Sequence, residues 1–173
     1  FILAQKQKAG RGRLGRKWQS DSTGNLYLSL ALRPFISPER LKPFTLWMGL
    51  ALCAHLDEAY GVSLGLKWPN DLQSPDGKKI AGMLTEARLD ADSVRDLVFG
   101  LGLNITSQKK DFPDDLREQA TSLAMISKNA FEINAVTAEV IAALWRAWDD
   151  FEQGLWIDKF KKYWNRAEIR FNI

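Results

Sequence analysis

Residues 79–104 decide the fold class. They run Lys79-Ile80-Ala81-Gly82-Met83-Leu84-Thr85-Glu86-Ala87-Arg88, then Leu89-Asp90-Ala91-Asp92-Ser93, then Val94-Arg95-Asp96-Leu97-Val98-Phe99-Gly100-Leu101-Gly102-Leu103-Asn104. The two apolar runs read as strands and the polar stretch between them as a turn. Five residues cannot make a parallel crossover, which takes a dozen or more, so the pair is expected to be antiparallel. Upstream, residues 63–68 read as a further strand, residues 1–4 as a strand already under way, and residues 25–33 alternate like a strand with one covered face until Pro34. Ser37-Pro38-Glu39 supplies an N-cap, a first-turn proline and an early acid. Leu41, Phe44, Met48, Leu52, Leu56 and Tyr60 then follow at three- and four-residue spacing, which predicts one long amphipathic helix ending near Gly61. Downstream come a polar loop at 106–113, a helical turn within 114–125, and helices over 137–151 and 155–165. The order βαβββαα predicts an α+β fold, with a largely antiparallel mixed sheet and helices mainly on one face.

The chain has 173 residues, 46% hydrophobic and 26% charged, which suits one packed core and excludes the disordered and collagenous classes. A net charge of +3 is too small to argue for nucleic acid. One cysteine, Cys53, and one histidine, His55, exclude an intrachain disulfide framework and argue against a His/Cys zinc site. No apolar run reaches the roughly 18 residues of a membrane span, and no signal peptide precedes the first motif, so a soluble cytoplasmic protein is expected. The chain opens on Phe1 inside an apolar run and ends on the alternating Ile169-Arg170-Phe171-Asn172-Ile173, so it reads as a piece of a longer protein. Residues 1–165 are expected to form one domain, and 166–173 a linker or the first strand of a small C-terminal β domain. His55 and Cys53 fall on the apolar side of the first helix and read as packing groups, as do Trp145, Trp148, Trp156 and Trp164.

Charge is unevenly placed. Lys6, Lys8, Arg11, Arg13, Arg16 and Lys17 precede the first acid, Asp21, and share their loop with Gly10, Gly12, Gly15 and Gly24. Glycine lets backbone N–H groups approach an anion, and arginine binds phosphate or carboxylate with two parallel hydrogen bonds. On charge alone the loop also fits a solvated basic segment or an RG-type nucleic-acid contact. Lys67-Trp68-Pro69-Asn70-Asp71 sets a cation, an amide and a carboxylate at a strand end, where rigid backbone positions side chains and a loop gives access; an Asx turn is the structural alternative. Lys79 opens the next strand and, taken alone, reads as an exposed lysine beside Lys78 after the turn Pro75-Asp76-Gly77. Gly100 and Gly102 bare one face of their strand for a backbone or a flat ligand, with Asn104 at the rim. This is not a dinucleotide fingerprint, because the glycines lie inside a strand and open no helix.

Together, Gly10-Arg11-Gly12-Arg13-Leu14-Gly15-Arg16-Lys17-Trp18, Asn25-Leu26-Tyr27-Leu28-Ser29, Lys67-Trp68-Pro69-Asn70-Asp71-Leu72, Lys79-Ile80-Ala81-Gly82, Gly100-Leu101-Gly102-Leu103-Asn104 and Ala120-Thr121-Ser122-Leu123 resemble, in this order, the biotin protein ligases. The resemblance covers about residues 1–125. It implies a catalytic domain related in fold to class II aminoacyl-tRNA synthetases and lipoate ligases. It also implies activation of biotin with ATP to biotinyl-5′-AMP, then transfer to a lysine of the biotin carboxyl carrier protein domain of acetyl-CoA carboxylase.

By the same resemblance, Lys79, Arg11 and Arg13 are the catalytic cations, and Gln7, Arg11, Gly12, Arg13, Lys79, Gly82 and Gly102 bind biotin. Arg13, Arg16, Lys67, Asn70, Asp71 and Asn104 bind ATP, with Asp71 on Mg²⁺. The residue types suit these roles, since attack of a carboxylate on an α-phosphate concentrates negative charge that cations must neutralise. The implied ligands are ATP, biotin and Mg²⁺. No membrane is implied; DNA is a partner only if the longer protein carries an N-terminal winged helix; a homodimer through a sheet edge is open. The alternatives are a lipoate or octanoate ligase or transferase of the same fold, and a nucleic-acid-binding module using the basic loop.

Overall fold

A computed structural model describes residues 1–170. The strands are β1 (Ile2–Ala4), β2 (Asn25–Leu32), β3 (Gly65–Lys67), β4 (Asp71–Gln73), β5 (Lys79–Leu89), β6 (Val94–Asn104) and β7 (Glu168–Arg170). The helices are α1 (Pro38–Leu41), α2 (Phe44–Tyr60), α3 (Leu123–Ser127), α4 (Ile133–Gln153) and α5 (Trp156–Arg166). The strands form one sheet in the order β1-β2-β6-β5-β4-β3-β7. Every neighbouring pair is antiparallel except β3 and β7. The α+β class and the antiparallel β5–β6 hairpin are therefore as expected. Of the strand expected over 169–173, residues 171–173 lie outside the described residues.

Alternation sorts the sheet into two faces. Leu26, Leu28 and Leu30 of β2 and Leu97, Phe99, Leu101 and Leu103 of β6 are buried in the core. Their alternates Tyr27, Ser29 and Ala31 pair with Gly102, Gly100 and Val98 and lie on the other face. Burying this core removes apolar surface from water, the dominant favourable term in folding.

Two expectations about the helices are corrected. The segment from Ser37 is two helices: α1, capped by the Ser37 hydroxyl accepting from the Arg40 N–H, and α2, which begins after Pro43. Proline has no N–H to give and its ring obstructs the preceding turn, so the helix restarts there. Nor is α2 amphipathic. Phe44, Trp47, Met48, Leu50, Leu52, Cys53 and Leu56 are all buried, because α2 packs on β3, β4 and β5 and is covered in turn by α4 and α5. A helix apolar nearly all round belongs in an interior. β4 was not anticipated; three residues carry too little periodicity to announce a strand.

Cys53 is buried and His55 is half-buried, its pKa lowered by burial. Trp148 is buried, Trp156 and Trp164 pack against the core, and Trp145 is exposed beside Phe1.

Candidate active site

The basic loop is folded on itself. The N–H groups of Gln7, Gly12 and Trp18 donate to the carbonyls of Ser20, Arg16 and Gly10 at 2.9, 2.7 and 2.9 Å, and Arg11 pairs with Lys17 as an antiparallel bridge. This hairpin-like loop lies over the helix-free face of the sheet. Arg11 Nη2 donates to Glu86 Oε2 of β5 at 2.9 Å, tying loop to strand.

Lys67-Trp68-Pro69-Asn70-Asp71 is the β3–β4 hairpin, and its Trp68–Pro69 peptide bond is cis. Asn70 makes no Asx turn. Its side-chain amide donates to the Met83 carbonyl at 2.9 Å while its own carbonyl accepts from the Met83 N–H at 2.8 Å, so one residue clamps the hairpin to β5. Asp71 faces Lys79, with Oδ1 and Nζ 2.7 Å apart. The Ala120-Thr121 stretch gains a role here. The Lys79 N–H donates to the Gln119 carbonyl and the Thr121 N–H to the Lys79 carbonyl, at 2.8 and 2.9 Å.

Between loop and sheet lie two adjoining cavities, about 440 and 780 Å³, within the range of small-molecule sites. Gln7, Arg11, Gly12, Arg13, Asn70, Gly82 and Gly102 line the first. Lys67 and Asn104 line the second, and Arg16, Asp71 and Lys79 line both. All the residues expected at the site thus line these two adjoining cavities, from four separated stretches of chain. Glu86 is paired with Arg11 and Asp71 with Lys79, while Lys6, Arg13, Arg16, Lys17 and Lys67 have no carboxylate partner among the described residues, against Asp21 and Asp111 on the wall of the second cavity. A cleft lined by more cations than acids attracts anions.

One residue quoted in the sequence motif but given no role is prominent. Trp18 lies at the boundary of the two cavities, on the strip where Gly82 and Gly102 pair across β5 and β6. A Cβ at Gly82 would stand 2.8 Å from its Cζ3, and one at Gly102 2.3 Å from its Cε2. The space expected to admit a flat ligand ring holds this indole. The Lys79 ammonium lies 5.0 Å from the indole centroid, a cation–π contact. The signal was available: Trp18 is the one aromatic in a loop of glycine and cations. Tyr27, buried beside Gly102, was missed as well. Its hydroxyl donates to the Ser22 carbonyl and accepts from the Asn25 amide, and burial raises its pKa.

Behind the second cavity a buried polar network holds the floor. Asn25 Oδ1 accepts from the Ile105 N–H and the Ser107 hydroxyl at 3.1 and 2.9 Å, and Asn104 Nδ2 donates to the Thr121 carbonyl at 2.9 Å. Asn104 thereby lines the second cavity.

Residues 1–104 match the biotin/lipoate A/B protein ligase family. The chain belongs to that family. Over 151 residues it is 35% identical to the bifunctional ligase/repressor BirA of Bacillus subtilis, covering 87% of this chain and 46% of that protein. The biotin–[acetyl-CoA-carboxylase] ligase of Mycobacterium tuberculosis is 31% identical over 152 residues, covering 83% of this chain and 52% of that protein. The chain thus spans about half the length of these relatives. In structure it resembles the biotin protein ligase of Aquifex aeolicus solved with biotin and ATP: TM-score 0.77 and 29% identity, over 95% of this chain and 67% of that one. Among the described residues no helix is long and apolar enough to cross a membrane.

The magnesium implied by the family resemblance does not fit a protein-built site. Among the described residues no three His, Cys, Asp or Glu side chains gather as ligands, and Asp71 is engaged by Lys79.

Proposed function

We propose that residues 1–165 form most of the catalytic core of an ATP-dependent biotin ligase acting in the cytoplasm on the biotin carboxyl carrier protein domain of acetyl-CoA carboxylase. The observation that carries this reading is the cleft itself, cationic and divided into two chambers with Trp18 at their boundary and Lys79 reaching both. One chamber suits a neutral flat ring ending in a carboxylate, the other a nucleotide. In the first step the biotin carboxylate oxygen attacks the α-phosphorus of ATP, the bond to the β-phosphate oxygen breaks, and pyrophosphate leaves. Lys79, Arg11 and Arg13 neutralise the charge gathering between carboxylate and phosphate, while Arg16 and Lys67 hold the phosphates. In the second, the carrier lysine amine attacks the acyl carbonyl, AMP departs with the C–O bond electrons, and the amine proton is released.

Biotin is preferred over lipoate because the relatives at 30% identity or more carry biotin ligase names or are BirA proteins. The test is ATP/pyrophosphate exchange with biotin, lipoate or no acid. Biotin-dependent exchange is expected; exchange with lipoate alone, or none, refutes the reading.

A further inference from the structure

Lys79 is held from four directions. Its backbone is pinned on both sides by Gln119 and Thr121. Its ammonium sits between the Asp71 carboxylate at 2.7 Å and the Trp18 indole, 5.0 Å from the ring centroid. The stem passes over Gly82, where a Cβ would lie 3.1 Å from the Lys79 Cε. Asp71 is equally fixed, since it opens β4 opposite Gly82 and follows Asn70, which is locked to Met83. A lysine side chain has a flexible four-carbon stem, so without such partners its charge would be spread over many rotamers. A divalent ion on Asp71 would stand beside that ammonium and be repelled by it. Magnesium is held by near-octahedral oxygen donors, commonly substrate phosphates and waters with one or two carboxylates.

We infer that Asp71 is the positioning residue of Lys79, holding its ammonium at the boundary of the two chambers, and is not a metal ligand. This deepens the proposed ligase function and rests on it for the catalytic consequence, but not for the contact.

The test compares wild type with D71N, K79A and the double variant in biotin-dependent pyrophosphate exchange, with circular dichroism as a check on folding. D71N should lower the turnover of adenylation about 10- to 100-fold, because removing the ion pair loosens a preorganised charge. The double variant should match K79A within about twofold, because Asp71 has no effect once Lys79 is absent. The magnesium concentration for half-maximal exchange should be the same in D71N and wild type. Multiplying losses in the double variant, a magnesium requirement raised about tenfold in D71N, or full activity in D71N would each overturn the inference.

A second measurement does not depend on activity. Trace acetylation of lysines, read by mass spectrometry, should label Lys79 slowly in wild type relative to Lys17 and Lys67, and faster in D71N. An unchanged Lys79 rate would overturn the positioning role even if no exchange occurred. Absent exchange in wild type together with faster Lys79 labelling in D71N would refute the ligase reading and leave the contact standing.

Discussion

The indole of Trp18 rests on Gly102, so near that a methyl group there would stand 2.3 to 2.5 Å from Cε2, Nε1 and Cζ2. Those are atoms of the ring body, which can yield only if the whole side chain lifts. Gly100, two residues earlier on the same face, is different: its Cβ would meet the Leu84 carbonyl at 3.6 Å, ordinary van der Waals contact. G102A should therefore displace Trp18, loosen Lys79 and lower adenylation by about tenfold or more, while G100A changes it far less. Pyrophosphate exchange and tryptophan fluorescence of the two variants check this. Equal activity in both would show that the Trp18 packing has no part in the reaction.

Lys79→Ala should leave the fold intact, since the side chain is a third exposed, and remove most adenylation, on the order of a 10²–10³-fold loss, as for deletion of one charge-stabilising donor. Urea melts and initial exchange rates report the two effects separately. A K79A protein of normal activity would remove Lys79 from the catalytic group.

Arg11 reaches the cleft from the loop while paired to Glu86, both side chains substantially exposed. Exposed pairs are worth about 0–1 kcal/mol, so neither R11A nor E86A should change stability much. On the proposed function, R11A should instead slow adenylate formation or let the adenylate escape, because the cleft loses one of the cations assigned to the acyl phosphate. A single-turnover experiment that separates retained from released adenylate decides it; full yield and retention in R11A would contradict the assignment.

Much of this was legible in the chain because the signals are local. Alternation over 94–104 fixes both the strand and the face that Gly100 and Gly102 bare, and the short turn at 89–93 forces the antiparallel pair. Proximity was harder to read. Trp18 and Gly102 are 84 positions apart, and only the β2–β6–β5 order brings the loop over that strip. The Asp71–Lys79 pair depends on a three-residue strand too short to have a pattern. The burial of α2 on more than one side depends on α4 and α5, which arrive much later in sequence. Asn70 has the right location but spends its amide on Met83, a partner that composition cannot disclose.

Trp47 joins three helices. Its indole N–H donates to the Ala147 carbonyl of α4 at 2.7 Å, and its ring stacks on Tyr163 of α5 with centroids 5.6 Å apart and planes within 9°. It is fully buried. Trp47→Phe removes the donor, leaves a cavity and weakens the stack, and should cost about 2–3 kcal/mol in urea unfolding. Exchange activity should persist at permissive temperature, since α2 lies on the face of the sheet opposite the cleft. A loss under about 0.5 kcal/mol would mean that the three-helix junction is less tightly packed than this geometry requires.

Alkaline pH should weaken the fold in a window set by Cys53. Burial, with a smaller effect from the Asp57 charge, pushes its thiol up to about 12, whereas in the unfolded chain a cysteine ionises near about 8.5. Below pH 8.5 both states hold the proton and the group is silent. Between about 9 and 12 the native state alone keeps it, so stability falls as pH rises, by up to about 1.4 kcal/mol per unit. Tyr60, raised by burial and by its hydrogen bond to Glu139, adds a loss of the same sign once pH passes the ordinary phenol value near about 10. Urea unfolding of wild type and Cys53→Ala at several pH values from about 7 to 10 isolates the cysteine part. The variant loses some packing at every pH, so the slopes are compared and not the absolute stabilities. The slope between about pH 9 and 10 should be shallower in Cys53→Ala, and identical slopes would show that the thiol ionises as readily in the folded protein as in the unfolded chain.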